Sequence, residues 1–435
     1  SEMCIRDSLY ALRSDLLLGN LKLIMEPWDL GNLGWRTGQF SVPFAEWNDR
    51  FRDTARTFWL EDVDGGSDFG RISLQEMATR LCGSADLFAT EPGRGAPASI
   101  NFVSCHDGFT LTDLTRYRSK HNEANGENNN DGSSVNHSAN FGVEGVTDDP
   151  DVITAREQAA MNMIGMLLLS LGTPMMLAGD EFRNTQDGNN NAYCQDNDIT
   201  WLKWDWMYST NKTREMRRLE TVSRLVALRK SLDLYHHEDF FTRLTQLGLL
   251  KPSSRVQWFL PDGTTPMERD WFDLGVRSFT MRLLSNSEVD VCIVVNGTAD
   301  DRTFRLPPDT HWTPKWCSAE INGRRAGHGT QVEECDLNGD TTVWTQHVPD
   351  ASETVLKMVE EVAMQRTESS TENEADTIKF AMPVTDHAAN GTSSAPRDEV
   401  SADMPDAPVD DTPDTPVDDN VWTMPALSIT LMKQV

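Results

Sequence analysis

The chain has 435 residues, enough for roughly two or three domains around a large apolar core. Its formal net charge of −29 argues against nucleic acid or an anionic membrane as a partner, and makes an uncharged ligand easier to accommodate. No apolar run reaches the ~18 residues of a transmembrane helix, and the first residues carry no signal-peptide pattern. Seven cysteines without a Cys-x-x-Cys pair predict reduced thiols in a cytoplasmic protein.

Residues 21–29 contain the first predicted strand, a mostly apolar run that leads directly into Glu26. Pro27 then prevents the strand from continuing. A short apolar run of this length predicts a strand buried on both faces, although a buried piece of helix has the same pattern. The carboxyl ends of parallel strands are where barrel enzymes carry their reactive groups. Glu26 is therefore a candidate catalytic acid, and the alternative is a solvent-facing glutamate that begins a turn.

Residues 99–108 repeat this order, because an apolar run leads to His106 and Asp107 and a glycine follows. We expect this second strand to end at the same edge of a sheet as the first. The segments between the two runs are a strand-like piece at 43–49 and helical spacing over 52–60 and 72–88.

A third unit begins with a long polar loop at 117–150, a length that is typical of functional or disordered segments. Residues 175–178 are predicted to form a third buried strand, which ends at Asp180 and Glu181. The alternation of buried strands with helices predicts βα units and a parallel sheet. The helices on either side of this strand are predicted at 155–171, apolar nearly all round, and at 212–232, amphipathic.

The pattern then changes to short strands with turns, which predicts an antiparallel β-sandwich over 240–360, with strands such as 256–260, 291–295 and 341–344. Residues 361–420 are acidic, rich in Ser, Thr and Pro, and too poor in apolar side chains to order themselves, so we predict a disordered insertion. Residues 421–435 regain strand character and are expected to rejoin the sandwich. The remaining chain divides into a possible non-native leader at 1–8 and a partial barrel at 9–239.

Acids thus occur at several predicted strand ends. Two carboxylates that flank a bond, one protonated and one ionised, are what glycoside hydrolysis needs. The same acids could bind a metal ion, but they lack the close ligand spacing of a metal site, so we expect no metal or other cofactor.

Long motifs lie at residues 23–29, 44–53, 102–111, 121–129, 177–182 and 188–197. Together these motifs resemble the glycogen debranching enzyme and isoamylase branch of the α-amylase family. The resemblance implies an α/β fold, namely the C-terminal half of a (β/α)₈ barrel (strands five to eight) followed by an antiparallel β-sandwich.

The resemblance also implies the role of each site residue. Glu26 would protonate the leaving glycosidic oxygen and later activate water, a task for which burial at a barrel mouth raises a carboxyl pKa. Asp107 would stabilise the oxocarbenium-like transition state, with His106 binding sugar hydroxyls. Trp28 and Trp47 could stack on glucose rings or pack in the core. The implied partner is a branched α-glucan such as glycogen or limit dextrin.

The chain departs from the family pattern at the nucleophile, an aspartate that the family carries in an Arg-x-Asp motif upstream of the Glu-Pro-Trp motif. Asp7 and Asp15 are the upstream candidates here, and neither matches that segment. We therefore expect this chain to lack the first barrel half and to be inactive alone, since a retaining mechanism holds nucleophile and acid about 5 Å apart.

Two classes of function remain open. The first is an α-1,6-glucan debranching hydrolase, or another α-glucan hydrolase or transferase of the family, of which this chain is a part. The second is a non-catalytic glucan-binding or interaction protein. Activity on branched substrates distinguishes the two.

Overall fold

The computed structural model describes residues 2–29, 31, 34–61, 72–90, 93–236, 240, 256–284, 290–308, 311–329, 331–334, 420–426 and 428–434. Every element below belongs to one compact unit, Ser1–Ala351 with Asp418–Val435. The predicted strand at 341–344 and the predicted insertion at 361–420, except for Asn420, lie outside the described residues. None of the described helices combines the length and the apolar character needed to cross a membrane.

The first part of the chain builds a four-stranded parallel sheet in which the strands follow their order in the sequence. Its strands are β1 (Ile24–Met25), β2 (Ala45–Asn48), β3 (Ser99–Asn101) and β4 (Thr173–Pro174). The predicted burial of β1 on both faces is wrong, because Ile24 keeps 48% of its surface exposed. Among the described strands, β1 pairs only with β2 and therefore forms an edge of the sheet.

The predicted strand at 175–178 is also wrong in position. The pairing lies at Thr173 and Pro174, opposite Ile100 and Asn101 of β3. The preceding helix ends at Leu169, so the chain turns towards the sheet earlier than the apolar pattern indicates. Because β4 forms the other edge of this sheet, the missing N–H group of its proline is tolerated.

Helices cover this sheet and carry side-chain caps at several N-termini. Asn48, for example, accepts a hydrogen bond from the Phe51 N–H at 3.0 Å. The single helix predicted over 72–88 is two helices, separated by a turn at residues 82 and 83. The helices are α1 (Glu2–Ser14), α2 (Asp49–Arg56, continued by a π-helical turn Thr57–Glu61), α3 (Leu74–Leu81), α4 (Ala85–Phe88), α5 (Leu111–Leu114), α6 (Pro150–Leu169) and α7 (Arg214–Ser231).

The second part forms antiparallel sheets. The largest has the order β5-β6-β7-β14-β9, so the last strand of the chain lies between β7 and β9. A separate apolar cluster, which includes Phe304, Trp312 and Trp422, fills the space between this sheet and the sheet β11-β13-β8. The elements are β5 (Val256–Phe259), α8 (Glu268–Phe272), β6 (Ser278–Leu283), β7 (Val291–Asn296), β8 (Arg302–Arg305), β9 (Trp312–Cys317), β10 (Arg324–Arg325), β11 (Gly327–His328), β12 (Glu333–Glu334), β13 (Val421–Met424) and β14 (Ser428–Gln434).

Helix α6 joins the two parts through one continuous apolar core. Side chains of α6, of α2 and of strands β6, β7, β9 and β14 belong to the same buried cluster. The closest approach is at Gly165, where an added β-carbon would lie 2.7 Å from Cγ2 of Ile429 and 2.9 Å from the ring of Trp316. Only glycine fits at such a distance. The backbone of helix α6 therefore contacts the side chains of the antiparallel sheet directly.

Candidate active site

A cavity of about 490 Å³ lies at the carboxyl ends of strands β1 and β3. Glu26 lines it one residue after β1, and Asp107 lines it from the segment after β3. These two carboxylates are separated by 81 positions in the sequence and are brought to one site because parallel strands end at the same edge. Trp28 also lines the cavity.

His106 and Trp47 adjoin this cavity without lining it. Trp47 contacts three rings: its centroid lies 6.2 Å from that of Trp28, 5.7 Å from that of His106 and 5.6 Å from that of Phe102. Phe102 is fully buried, so Trp47 connects Trp28 to the core. His106 Nε2 lies 3.7 Å from Asp107 Oδ2, and both side chains are mostly exposed.

Glu26 is exposed in this structure, so the burial expected of a general acid is not found. The reason is its position after an edge strand, where the described residues cover it from one side only. Asp107 is exposed as well. The nucleophile candidates lie elsewhere: Asp7 is on helix α1, and Asp15 follows that helix and accepts hydrogen bonds from the Leu17 and Leu18 N–H groups.

Arg56 is a cavity residue that the sequence analysis did not identify. Its guanidinium is buried at 5% exposure and donates to the Val103 carbonyl at 2.7 Å and the Asn136 carbonyl at 3.1 Å. Burial, together with the neighbouring Arg52, lowers the pKa of Arg56 to about 10. No local pattern in the sequence distinguishes Arg56. The one available signal is that it lies three residues after the family motif at 44–53.

Two asparagine-rich loops complete the cavity wall. The loop at 117–150 contributes Gly132, Ser133, Val135, Asn136 and His137, and the loop after β4 contributes Asn190 and Asn191. Of the two alternatives predicted for the long loop at 117–150, functional or disordered, the structure favours an ordered loop. Hydrogen bonds among its own residues hold it in place.

Asp180 and Glu181 lie after β4, outside the cavity wall. The Asp180 carboxyl group is fully buried. It accepts one hydrogen bond from the Ser104 hydroxyl and another from the Leu111 N–H group, at 2.9 Å. Burial raises the pKa of Asp180 to about 7, and burial also raises the pKa of Glu181. These contacts point inward, so Asp180 ties the segment after β3 to the segment after β4.

Replacing Asp180 by asparagine should change how stability depends on pH. The raised pKa means that folded protein holds the Asp180 proton more tightly than unfolded protein, so this group destabilises progressively from about pH 4 to about pH 7. The amide of the Asp180→Asn variant cannot titrate and keeps a partner for Ser104 and Leu111. We expect the free energy of unfolding of Asp180→Asn, minus that of the unsubstituted chain, to rise across this window by a few kcal/mol, since one pKa unit is about 1.4 kcal/mol.

The measurement is urea unfolding of both proteins at a series of pH values. Taking the difference cancels the titration of all other carboxyl groups. A difference that stays constant between pH 4 and pH 7 would contradict the protonation of Asp180 in the folded state.

A buried network of ion pairs lies next to Asp180. Glu157 of α6 contacts Arg218 of α7 and Arg183, each at 2.7 Å. Arg218 also donates to the Asp180 carbonyl at 3.4 Å and the Thr112 hydroxyl at 3.2 Å. Burial acts to raise the pKa of Glu157, but the two guanidinium groups outweigh it and the pKa is lowered.

Comparison with known proteins gives a consistent family. The chain is 40% identical over 331 residues to a protein of Pectobacterium atrosepticum named glycogen debranching enzyme, covering 76% of this chain and 46% of that protein. It is 41% identical over 274 residues to the glycogen operon protein GlgX homolog of Mycobacterium tuberculosis, covering 62% and 36% respectively. The chain thus spans about half the length of the curated relatives it matches.

Among solved structures, the catalytic module of the multi-modular glycogen-degrading pneumococcal virulence factor SpuA aligns with a TM-score of 0.50 at 11% identity. That alignment covers 100% of this chain and 51% of the other, and at this identity it is similarity of fold alone. No protein-family model matches the chain. The predicted resemblance is confirmed by the sequence relatives, and the α/β fold by the structure. Over the aligned residues, the chain is thus similar to proteins named glycogen debranching enzyme and GlgX homolog, which supports the resemblance to the glycogen debranching and isoamylase branch of the α-amylase family.

Proposed function

We propose that this chain is part of a debranching glycoside hydrolase that cleaves the α-1,6 branch linkages of glycogen-like glucans with retention of configuration. The observation that carries the proposal is that Glu26 and Asp107 line one cavity at the carboxyl edge of a parallel sheet. Support comes from 40% identity to a protein named glycogen debranching enzyme. The reduced thiols at Cys82, Cys105, Cys194 and Cys317 suit a cytoplasmic location.

In this proposal, strands β1 to β4 are strands five to eight of a (β/α)₈ barrel, and residues 240–360 with 421–435 form its sandwich domain. The other four strands would pair with the open edges at β1 and β4 and would cover Glu26 from its exposed side. That half would also supply the nucleophilic aspartate. A retaining hydrolase needs its two carboxyl groups about 5 Å apart, so catalysis requires both halves together.

Each site residue then has a defined task. The nucleophile attacks the anomeric carbon while the Glu26 carboxyl group gives its proton to the departing glycosidic oxygen. Glu26, now ionised, removes a proton from the water that releases the sugar from the enzyme. Asp107 stays ionised and stabilises the positive charge that develops on the sugar ring. His106 binds a sugar hydroxyl, Trp28 stacks on a glucose ring, and Trp47 holds Trp28 in place.

A direct test compares this chain with the complete enzyme on a branched limit dextrin and on linear amylose of equal mass. We expect the complete enzyme to release reducing ends from the branched substrate and not from amylose, because the proposed linkage is α-1,6. We expect this chain alone to release none. Release from the branched substrate by this chain alone would contradict the need for a second barrel half, and preference for amylose would favour another α-glucan hydrolase or transferase.

A glucan-binding role without hydrolysis is the second candidate. The observation in its favour is that neither upstream aspartate lies at an end of a described strand, since Asp7 and Asp15 belong to helix α1 and the residue after it. Binding of limit dextrin by a complete protein that has no hydrolytic activity would support this role over the first.

A further inference from the structure

The two asparagine-rich segments at 121–129 and 188–197 have no task in the proposed mechanism, although they carry much of the family resemblance. In the structure they meet at Asn190, which is 2% exposed and lies in the wall of the cavity beside Asp107. Asn190 belongs to the loop after β4, whereas Asp107 follows β3.

The Asn190 side chain is fixed by hydrogen bonds at both ends. Its Nδ2 group donates to the Asn136 side-chain carbonyl at 2.7 Å and to the Ser133 main-chain carbonyl at 2.8 Å. Its Oδ1 atom accepts from the Asn122 Nδ2 group at 2.9 Å, and its main-chain N–H donates back to Asn122 Oδ1 at 3.0 Å. A buried amide with every group paired in this way is rigid.

The remaining polar group of Asn190 reaches the site itself. Its main-chain carbonyl accepts the N–H of Gly108 at 2.9 Å, and Gly108 directly follows Asp107. On the N-terminal side of Asp107, the Arg56 guanidinium donates to the Val103 carbonyl, and the Ser104 hydroxyl donates to the Asp180 carboxylate. The exposed Asp107 side chain thus extends from a segment whose backbone is fixed at both ends.

The backbone of Gly132 packs directly against the side chains of Asn190 and Asn122. A β-carbon added to Gly132 would lie 2.3 Å from Asn190 Oδ1 and 2.7 Å from Asn122 Nδ2. Gly132 also has a φ of +71°, which favours glycine. The loop at 117–150 therefore approaches Asn190 with its backbone, at a distance that no other residue type allows.

We propose that Asn190 is a positioning residue for Asp107, acting through the Gly108 N–H group. The network of Asn122, Asn136 and Asn190 holds the Asn190 carbonyl in place, and the carbonyl in turn fixes the backbone that carries the transition-state stabiliser. The inference rests on the proposed function for the role of Asp107. The hydrogen-bond network itself can be tested without it.

The first test is amide hydrogen exchange at Gly108, measured by mass spectrometry with residue-level fragmentation on this chain. In Asn190→Ala the carbonyl loses its support, and we expect the protection of the Gly108 amide to fall by about 5–10-fold, as for the loss of one hydrogen bond. Asn189→Ala is the matched control. Asn189 is equally buried and bonds to Asn125 and the Asn191 N–H, but it makes no bond towards Gly108.

The second test is the steady-state rate of the complete enzyme on branched limit dextrin. We expect Asn190→Ala to lower kcat by up to about 10²-fold, since a misplacement of about 1 Å has effects of that size, and to leave KM within about threefold. Asn189→Ala should keep most of kcat. Asn122→Ala, which removes the partner of Asn190 from the opposite loop, should act in the same direction as Asn190→Ala and decides the matter if Asn190→Ala does not fold.

Unchanged exchange at Gly108 in both Asn190→Ala and Asn122→Ala would overturn the inference. An equal loss of kcat in Asn189→Ala would overturn it too, because the effect would then be general destabilisation of the loop. If the complete enzyme did not debranch any glucan, the proposed function would fail, while the exchange measurement would still decide whether Asn190 holds Gly108.

Discussion

Replacing Glu26 by Gln in the complete enzyme should lower kcat on branched limit dextrin by about 10²–10⁴-fold, the usual effect of removing a general acid–base group. Gln has nearly the same shape, so substrate binding in the cavity should be retained and KM should change little. The loss comes from both chemical steps, because the amide can neither protonate the glycosidic oxygen nor accept a proton from water. The rates are measured with glucans carrying an α-1,6 branch.

An aryl glycoside with a good leaving group distinguishes this role from a structural one. Such a leaving group departs without protonation, so the first step in Glu26→Gln should recover towards the unsubstituted rate while the second step stays slow, giving a burst of aryl alcohol. Glu123→Gln is the matched control, since Glu123 is an exposed glutamate outside the cavity wall. A Glu26→Gln enzyme that kept most of its rate on limit dextrin would show that another residue is the acid.

Replacing Arg218 by Ala should destabilise this chain by about 3 kcal/mol, because Glu157 would keep its buried charge and lose one of its two guanidinium partners at 2.7 Å, with Arg183 remaining. Arg224→Ala is the matched control on the same helix. Its partner Glu320 also lies at 2.7 Å, but the pair is partly exposed, so the expected cost is below about 1 kcal/mol. The free energies come from urea unfolding at pH 7.

The stability cost of Arg218→Ala should depend on pH. The lowered pKa of Glu157 means that its stabilising contribution is present above its unfolded pKa and is lost as the pH falls through its folded value. The difference between Arg218→Ala and the unsubstituted chain should therefore shrink in acid, once Glu157 is protonated in both. Equal costs for Arg218→Ala and Arg224→Ala at pH 7 would contradict the importance of burial at this pair.

The sequence predicted those parts of the fold and site that depend on local pattern. The apolar runs before Glu26 and before His106 and Asp107 do end at one sheet edge, because strand alternation with helices is a local signal. The position of β4 was missed, since pairing of Thr173 with Ile100 is a long-range contact that apolar character at 175–178 does not encode. The exposure of Glu26 follows from which strands flank β1, and this too is invisible in a local pattern.

The asparagine network was missed for the same physical reason. Asn190 lies 54 positions from Asn136 and 68 from Asn122, so the bonds among their amides arise only once the loops meet. In the sequence alone, asparagine-rich segments have the composition of solvated loops. Only the family resemblance marked these two segments, and it gave them no role.

Helix α6 precedes β4 in the chain but packs against β9 and β14, with Gly165 seated on Trp316 and Ile429. Exchange of the antiparallel sheets between relatives, by recombination near residue 240, would bring a new pair of side chains against this glycine. Such a chimera would tolerate only partners that leave the same narrow space. We therefore expect the antiparallel sheet to be exchangeable only together with helix α6 and the parallel sheet after which Glu26 lies, and not as an independent module.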